Sequence, residues 1–137
     1  MSIPCRKTLV LVVDDEAECC RSLAELLELE GFEAVTCSGG DRAVRALASP
    51  QRAPDVVLAD VRMPGVSGLV LLKHIQERCP AMPVFLMSAF PDEDVWNAAL
   101  QAGALDVFPK PIQAPALLRA LREATSGGSD PRTPVRE

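Results

Sequence analysis

Four apolar runs in this chain end on groups that could do chemistry. The run 8–13 (TLVLVV) stops on two acids, Asp14 and Asp15, and the run 56–59 (VVLA) stops on a third, Asp60. The run 83–87 leads into Ser88, and 105–108 is followed two residues on by Lys110. Carboxylates crowded together repel and raise one another's pKa, so such a set needs a cation. The Lys110 ammonium is one. A hard divalent ion held by oxygens is the other: Mg2+ suits a shallow, hydrated, acidic crevice, with Mn2+ as an alternative. Within this set Asp60 can act as a nucleophile and form an acyl phosphate. The metal and Lys110 would offset charge on the equatorial oxygens of a transferring phosphoryl group. Ser88 would donate a hydrogen bond to one of those oxygens, and the small Ala89 leaves the mouth of the crevice open. Singly, each residue reads as a cap, a turn or a solvated charge. The signal is four groups at four strand ends.

These residues converge only if the runs are neighbouring parallel strands. The spacing predicts strands at 8–13, 33–37, 56–59, 83–87 and 105–108. Helices are predicted at 17–30, 41–48, 67–78, 92–102 and 114–124, with Gly31 and Gly103 as stops. The apolar stripes are Cys20, Leu23, Ala24 and Leu27; Ala43, Val44 and Leu47; Leu69, Leu72 and Ile75; Val95, Ala98, Ala99 and Ala102; and Leu117, Leu118 and Leu121. Strict alternation argues for an α/β protein with a parallel sheet covered by helices on both faces and right-handed crossovers. Five units suit a doubly wound sheet of order 2-1-3-4-5 and are too few for a barrel. In that order the first and third strands meet where the winding reverses, and ligands bind at their carboxyl ends.

Composition excludes other classes. The 137 residues fit one domain that can bury a core without staples, with 48% apolar and 24% charged residues. A net charge of −5 and scattered basic residues argue against direct nucleic-acid binding. The five cysteines, Cys5, Cys19, Cys20, Cys37 and Cys79, form no ligand spacing and read as reduced thiols, several of them core fillers. No run spans a membrane or makes a signal peptide, so a cytoplasmic chain is expected. The text from 125 to 137 (TSGGSDPRTPVRE) has no apolar period and reads as a flexible tail or a truncated linker, leaving 1–124 as the domain.

The stretches LVVDDE (11–16), VVLADVRMPGVSGL (56–69), FLMSAF (85–90) and GALDVFPKPI (103–112) together resemble a bacterial response-regulator receiver domain, over about residues 8–124. The resemblance implies a flavodoxin-like (βα)5 fold and a phosphorylation-activated switch. A domain of this kind would catalyse only its own phosphorylation and dephosphorylation and is not otherwise an enzyme. Asp60 matches the phosphoacceptor, Asp15 a direct Mg2+ ligand, and Asp14 an acid that holds the metal mainly through water. The backbone carbonyl of Arg62 matches a further ligand, Ser88 the hydroxyl switch residue and Lys110 the family's lysine, usually followed by a cis proline. The implied phosphodonor is a sensor histidine kinase, a histidine phosphotransfer protein or a small phosphodonor.

The resemblance also suggests an output face built from the fourth helix, fifth strand and fifth helix, open to a partner or a homodimer. Trp96, Leu100 and Val107 would lie on it, with Asp92, Glu93, Asp94, Arg119 and Arg122 setting register. Val107 stands where many members carry an inward-turning Tyr or Phe. Arg62 and Phe90 replace amides or acids near the attacking water. His74, beside Lys73, reads as a solvated surface histidine. A flavin carrier would need a phosphate loop where DDEAE is acidic, and a dehalogenase-type phosphatase would need an acid at Arg62. A receiver-like interaction module that works without phosphorylation is the remaining alternative.

Overall fold

The computed structural model describes residues 7–48 and 53–125. It contains five strands, β1 (Leu9–Val13), β2 (Glu33–Cys37), β3 (Val56–Asp60), β4 (Val84–Ser88) and β5 (Asp106–Pro109), alternating with five helices. The helices are α1 (Ala17–Leu29), α2 (Gly40–Ala48), α3 (Gly68–Arg78), α4 (Glu93–Gln101) and α5 (Ala114–Thr125). The sheet is parallel throughout, in the order β2-β1-β3-β4-β5. The expected architecture is the one observed.

Alternation of side chains along the strands divides the core into two layers. Leu11, Val13, Val57, Ala59 and Leu86 face Ala43 of α2, Leu71, Leu72 and Ile75 of α3, and Ala99 of α4. Val10, Val12, Leu58, Phe85 and Met87 face Leu23 and Leu27 of α1 and Leu117 and Leu121 of α5. Strands β1, β3 and β4 are buried along their whole length, which is why they read as unbroken apolar runs. Each fully buried Leu or Val contributes about 2 kcal/mol. That offsets the cost of ending such strands on acids.

Helices α3 and α4 start one residue later than expected, for a local reason. Ser67 and Asp92, expected as first helical residues, are caps whose side chains accept from the backbone N–H groups of Val70 and Val95. Gly31 and Gly103 stop α1 and α4 at positive φ, 94° and 109°, where a Cβ would be strained. Thr125, assigned to the tail, closes α5 by donating its hydroxyl to the Leu121 carbonyl at 2.7 Å. The rest of the expected tail lies outside the described residues. No helix among the described residues is long and apolar enough to cross a membrane.

Four expectations about side chains are corrected. Ala98 is exposed; the inward stripe of α4 is Val95, Ala99 and Ala102. Val107 is 2% exposed, because strand alternation turns it under α4 into the core and sends Phe108 to the other layer. It therefore supports α4 from beneath and offers no surface. Arg122 points to the opposite flank. It meets Glu30 at 3.2 Å and lies over the Phe32 ring at 5.6 Å, so it cannot set register on the α4 side. His74 is half-buried against a cavity between α2 and α3.

Candidate functional site: an acidic cluster bridged by one lysine

The strand register brings the expected residues to one edge. Val13 pairs with Ala59, so Asp14 and Asp60 leave adjacent strands side by side. Asp15 follows at the exposed rim. The three acids can each offer an oxygen within 4.8 Å of the others. Asp14 is fully buried and Asp60 is 7% exposed.

Lys110 bridges the two buried acids. Its ammonium donates to Asp14 Oδ2 at 2.7 Å and to Asp60 Oδ2 at 2.6 Å. The Lys110–Pro111 peptide is cis, as the resemblance implied. The remaining oxygens are also held: Asp14 Oδ1 accepts from the Glu16 N–H at 3.0 Å, and Asp60 Oδ1 from the Arg62 N–H at 3.0 Å. Thus the Arg62 main chain lies against Asp60, while its side chain is exposed. Ser88 is fully buried at the end of β4. Its Oγ accepts from the Phe90 N–H at 3.1 Å, and its carbonyl accepts from the Lys110 N–H at 2.9 Å. Phe90 itself is 70% exposed at the rim. Trp96 and Leu100 are partly exposed on α4, as expected, and stand outside this cluster.

Electrostatics follow from the contacts. Burial alone would raise the Asp14 pKa. The Lys110 ammonium, the Cys19 thiol and the Glu16 N–H reverse this and hold its carboxyl below the ordinary 3.8. Burial alone would lower the Lys110 pKa, but the bonds to Asp14 and Asp60 push it above its ordinary 10.5. Burial and the neighbouring Asp14 push the Cys19 thiol up to about 12, so it stays protonated.

Sequence reasoning missed two contributors. Cys19 reads from the sequence as one of five reduced thiols, with no role at the site. Its neighbour Cys20 is a core filler, with its thiol against the Asp14 carbonyl at 3.5 Å. Helix α1 opens three residues after Asp14, and that offset turns Cys19 toward the acid. Gly68 is the second. A Cβ there would overlap the Asp60 carbonyl oxygen and stand 2.9 Å from its carbon, so α3 begins backbone to backbone against the end of β3. The SGL text after the turn carried this signal.

A parallel sheet of this order with acids at its reversal and a lysine after its last strand defines a receiver. The response regulator receiver domain family matches residues 10–122, and the chain belongs to that family. It is similar to the DNA-binding transcriptional regulator NtrC of Salmonella typhimurium strain LT2, with 37% identity over 129 residues, 94% of this chain and 27% of that protein. The transcriptional regulatory protein KdpE of Mycobacterium tuberculosis is 39% identical over 117 residues, 85% of this chain and 50% of that protein. The chain thus spans about a quarter to a half of these relatives. Among solved structures, a receiver domain protein from Clostridium thermocellum has a TM-score of 0.81 at 31% identity, covering 86% of this chain and 94% of its own. Receiver domains are signalling domains that bind Mg2+ at an acidic pocket, and the cluster of Asp14, Asp15 and Asp60 fits that ion. It offers hard oxygens, two of its acids are fixed, and the third is open to water.

Proposed function

We propose that this chain is a phosphorylation-activated switch that takes a phosphoryl group onto Asp60, with a sensor histidine kinase, a histidine phosphotransfer protein or a small phosphodonor as the source. One observation carries this reading: Lys110 holds the buried Asp60 and Asp14 together within a three-acid cluster. The Arg62 N–H and the Lys110 ammonium fix the Asp60 carboxylate, so its attacking oxygen is oriented before the donor arrives. As the phosphorus–oxygen bond forms and the donor bond breaks, Lys110 passes from Asp60 Oδ2 to a phosphoryl oxygen. The Ser88 hydroxyl, whose proton is not engaged by the Phe90 N–H, donates to another. Asp15, Asp60, the Arg62 carbonyl and, through water, Asp14 would hold Mg2+, which would supply the remaining charge compensation. The expected domain is 1–124, working in the cytoplasm without contacting nucleic acid itself. Any DNA-directed output, as in NtrC and KdpE, would come from other segments.

The metal role predicts that phosphorylation by acetyl phosphate stops in EDTA and returns with Mg2+. Asp15→Ala is expected to weaken Mg2+ binding more than Asp14→Ala, read by calorimetric titration. Phosphorylation at an undiminished rate in EDTA would reject the role.

The output reading rests on Trp96 and Leu100, which leave apolar surface on α4. Drawing Ser88 toward the phosphoryl group would break its bond to the Phe90 N–H and move the loop that leads into α4. Beryllofluoride with Mg2+, an acyl-phosphate mimic, is therefore expected to change the emission of Trp96, the chain's only tryptophan. A two-fold contact through this face would also raise the sedimentation coefficient. Unchanged emission and sedimentation with Asp60 occupied would remove α4 as the output surface.

A further inference from the structure

We propose that the cleft between the carboxyl-terminal ends of α2 and α3 is a binding site for a small apolar molecule carrying one carboxylate. The cleft has a volume of about 310 Å3. That is the lower end of the range for small-molecule pockets, enough for one ring and a charged group. It is independent of the acidic cluster: in each strand–helix unit the helix runs back, so its carboxyl end lies at the opposite edge of the sheet from Asp60.

The packing of the two helices explains the cleft. At their amino ends both helices press directly on the β3–α3 segment, with glycine at each point of contact. A Cβ at Gly40 would overlap the Val66 carbonyl oxygen, and one at Gly68 would overlap that of Asp60. At their carboxyl ends Val44, Leu47, Ile75 and Met82 line the gap, and three of these four are only partly buried. An apolar ligand would complete their burial.

Charge selects the ligand further. His74 and Arg78, four residues apart on one face of α3, both line the cleft. Among the described residues no acid lines it, in a chain whose net charge is −5. Neither side chain has a hydrogen bond or ion pair to another of the described residues. A guanidinium with no partner among the described residues, beside an apolar cleft, suits a carboxylate, which it can bind through two parallel hydrogen bonds. Arg78 lies in the last turn of α3, where the helix dipole favours a cation.

The test uses phenylacetate as the probe, titrated into the 137-residue chain with methyl groups of Val, Leu, Ile and Met labelled for NMR. Saturable shifts are expected at Val44, Leu47, Ile75 and Met82, with a Kd of about 1 mM for so small a ligand. Phenylacetamide, the neutral counterpart, is expected to bind about tenfold more weakly, as is phenylacetate to Arg78→Gln. Ala48→Trp places a ring across the mouth from an exposed position and should abolish the shifts. Phosphorylation at Asp60 in each variant verifies folding, whatever happens in the cleft. Absence of saturable shifts at these methyls would overturn the proposal, as would equal binding of the neutral amide or binding undiminished in Ala48→Trp.

Discussion

Replacing Asp60 by Asn is expected to leave the domain folded and unable to gain a phosphoryl group. The amide is nearly the same size as the carboxylate and can still accept from the Arg62 N–H, so the end of β3 should hold its place. What is lost is the nucleophile; Asp14 makes the matching bonds to Lys110 and to the Glu16 N–H but is fully buried, so it is not open to a donor. Intact-mass measurement after incubation with acetyl phosphate and Mg2+ should find one added phosphoryl group in the wild type and none in Asp60→Asn. Persistent single-site labelling of the variant would place the acceptor elsewhere, with Asp15 the first residue to test.

Lys110→Met carries the second large effect, this time on stability. Removing the ammonium leaves Asp14 and Asp60 buried, adjacent and without their shared cation. Breaking a buried pair by deleting one partner costs about 3 kcal/mol. The dependence on pH has two limbs. Lys110 has a raised pKa in the folded chain, so its contribution is complete below its ordinary 10.5 and is lost as pH rises beyond it. Asp14 has a lowered pKa, so its contribution is present above its ordinary 3.8 and is lost as pH falls below it. The variant should therefore lack the Lys110 part of the alkaline loss. Its deficit at neutral pH should narrow on acidification, when Asp14 is protonated. Mg2+ should recover more stability in the variant than in the wild type, because it replaces the missing charge. Urea unfolding across pH, with and without Mg2+, measures each limb. Equal stability of variant and wild type at neutral pH without metal would contradict the bridging role.

The positions of Asp14, Asp60, Ser88 and Lys110 were legible in the sequence because strand alternation and the reversal rule fix which strand ends meet. No side-chain detail is needed for that. What was not legible depends on which flank of a helix or strand a residue faces once its neighbours are in place. Val107 and Phe108 are both apolar, so their spacing could not say which turns under α4; the parity of β5 decided it. Arg122 looked available because its partners, Glu30 and Phe32, are remote in sequence. His74 sits beside Lys73 and Glu77, a polar context, yet it faces the α2–α3 cleft. Ser67 and Asp92 were extended into their helices because a cap and a first helical residue look alike in a list of letters.

The seat of Gly68 against the Asp60 carbonyl gives the domain a direction. On the α3 side, Asp60 meets an anvil: backbone on backbone, with no side chain to rotate and no slack to take up. On the β4 side it faces Ser88, followed by the exposed Ala89 and Phe90, a stretch with far less packed around it. A phosphoryl group on Asp60, as proposed, would push against the stiff wall and find play only on the compliant one. The hydrogen that serves as a side chain at position 68 would then make the domain a mechanical rectifier, directing the movement toward the loop before α4.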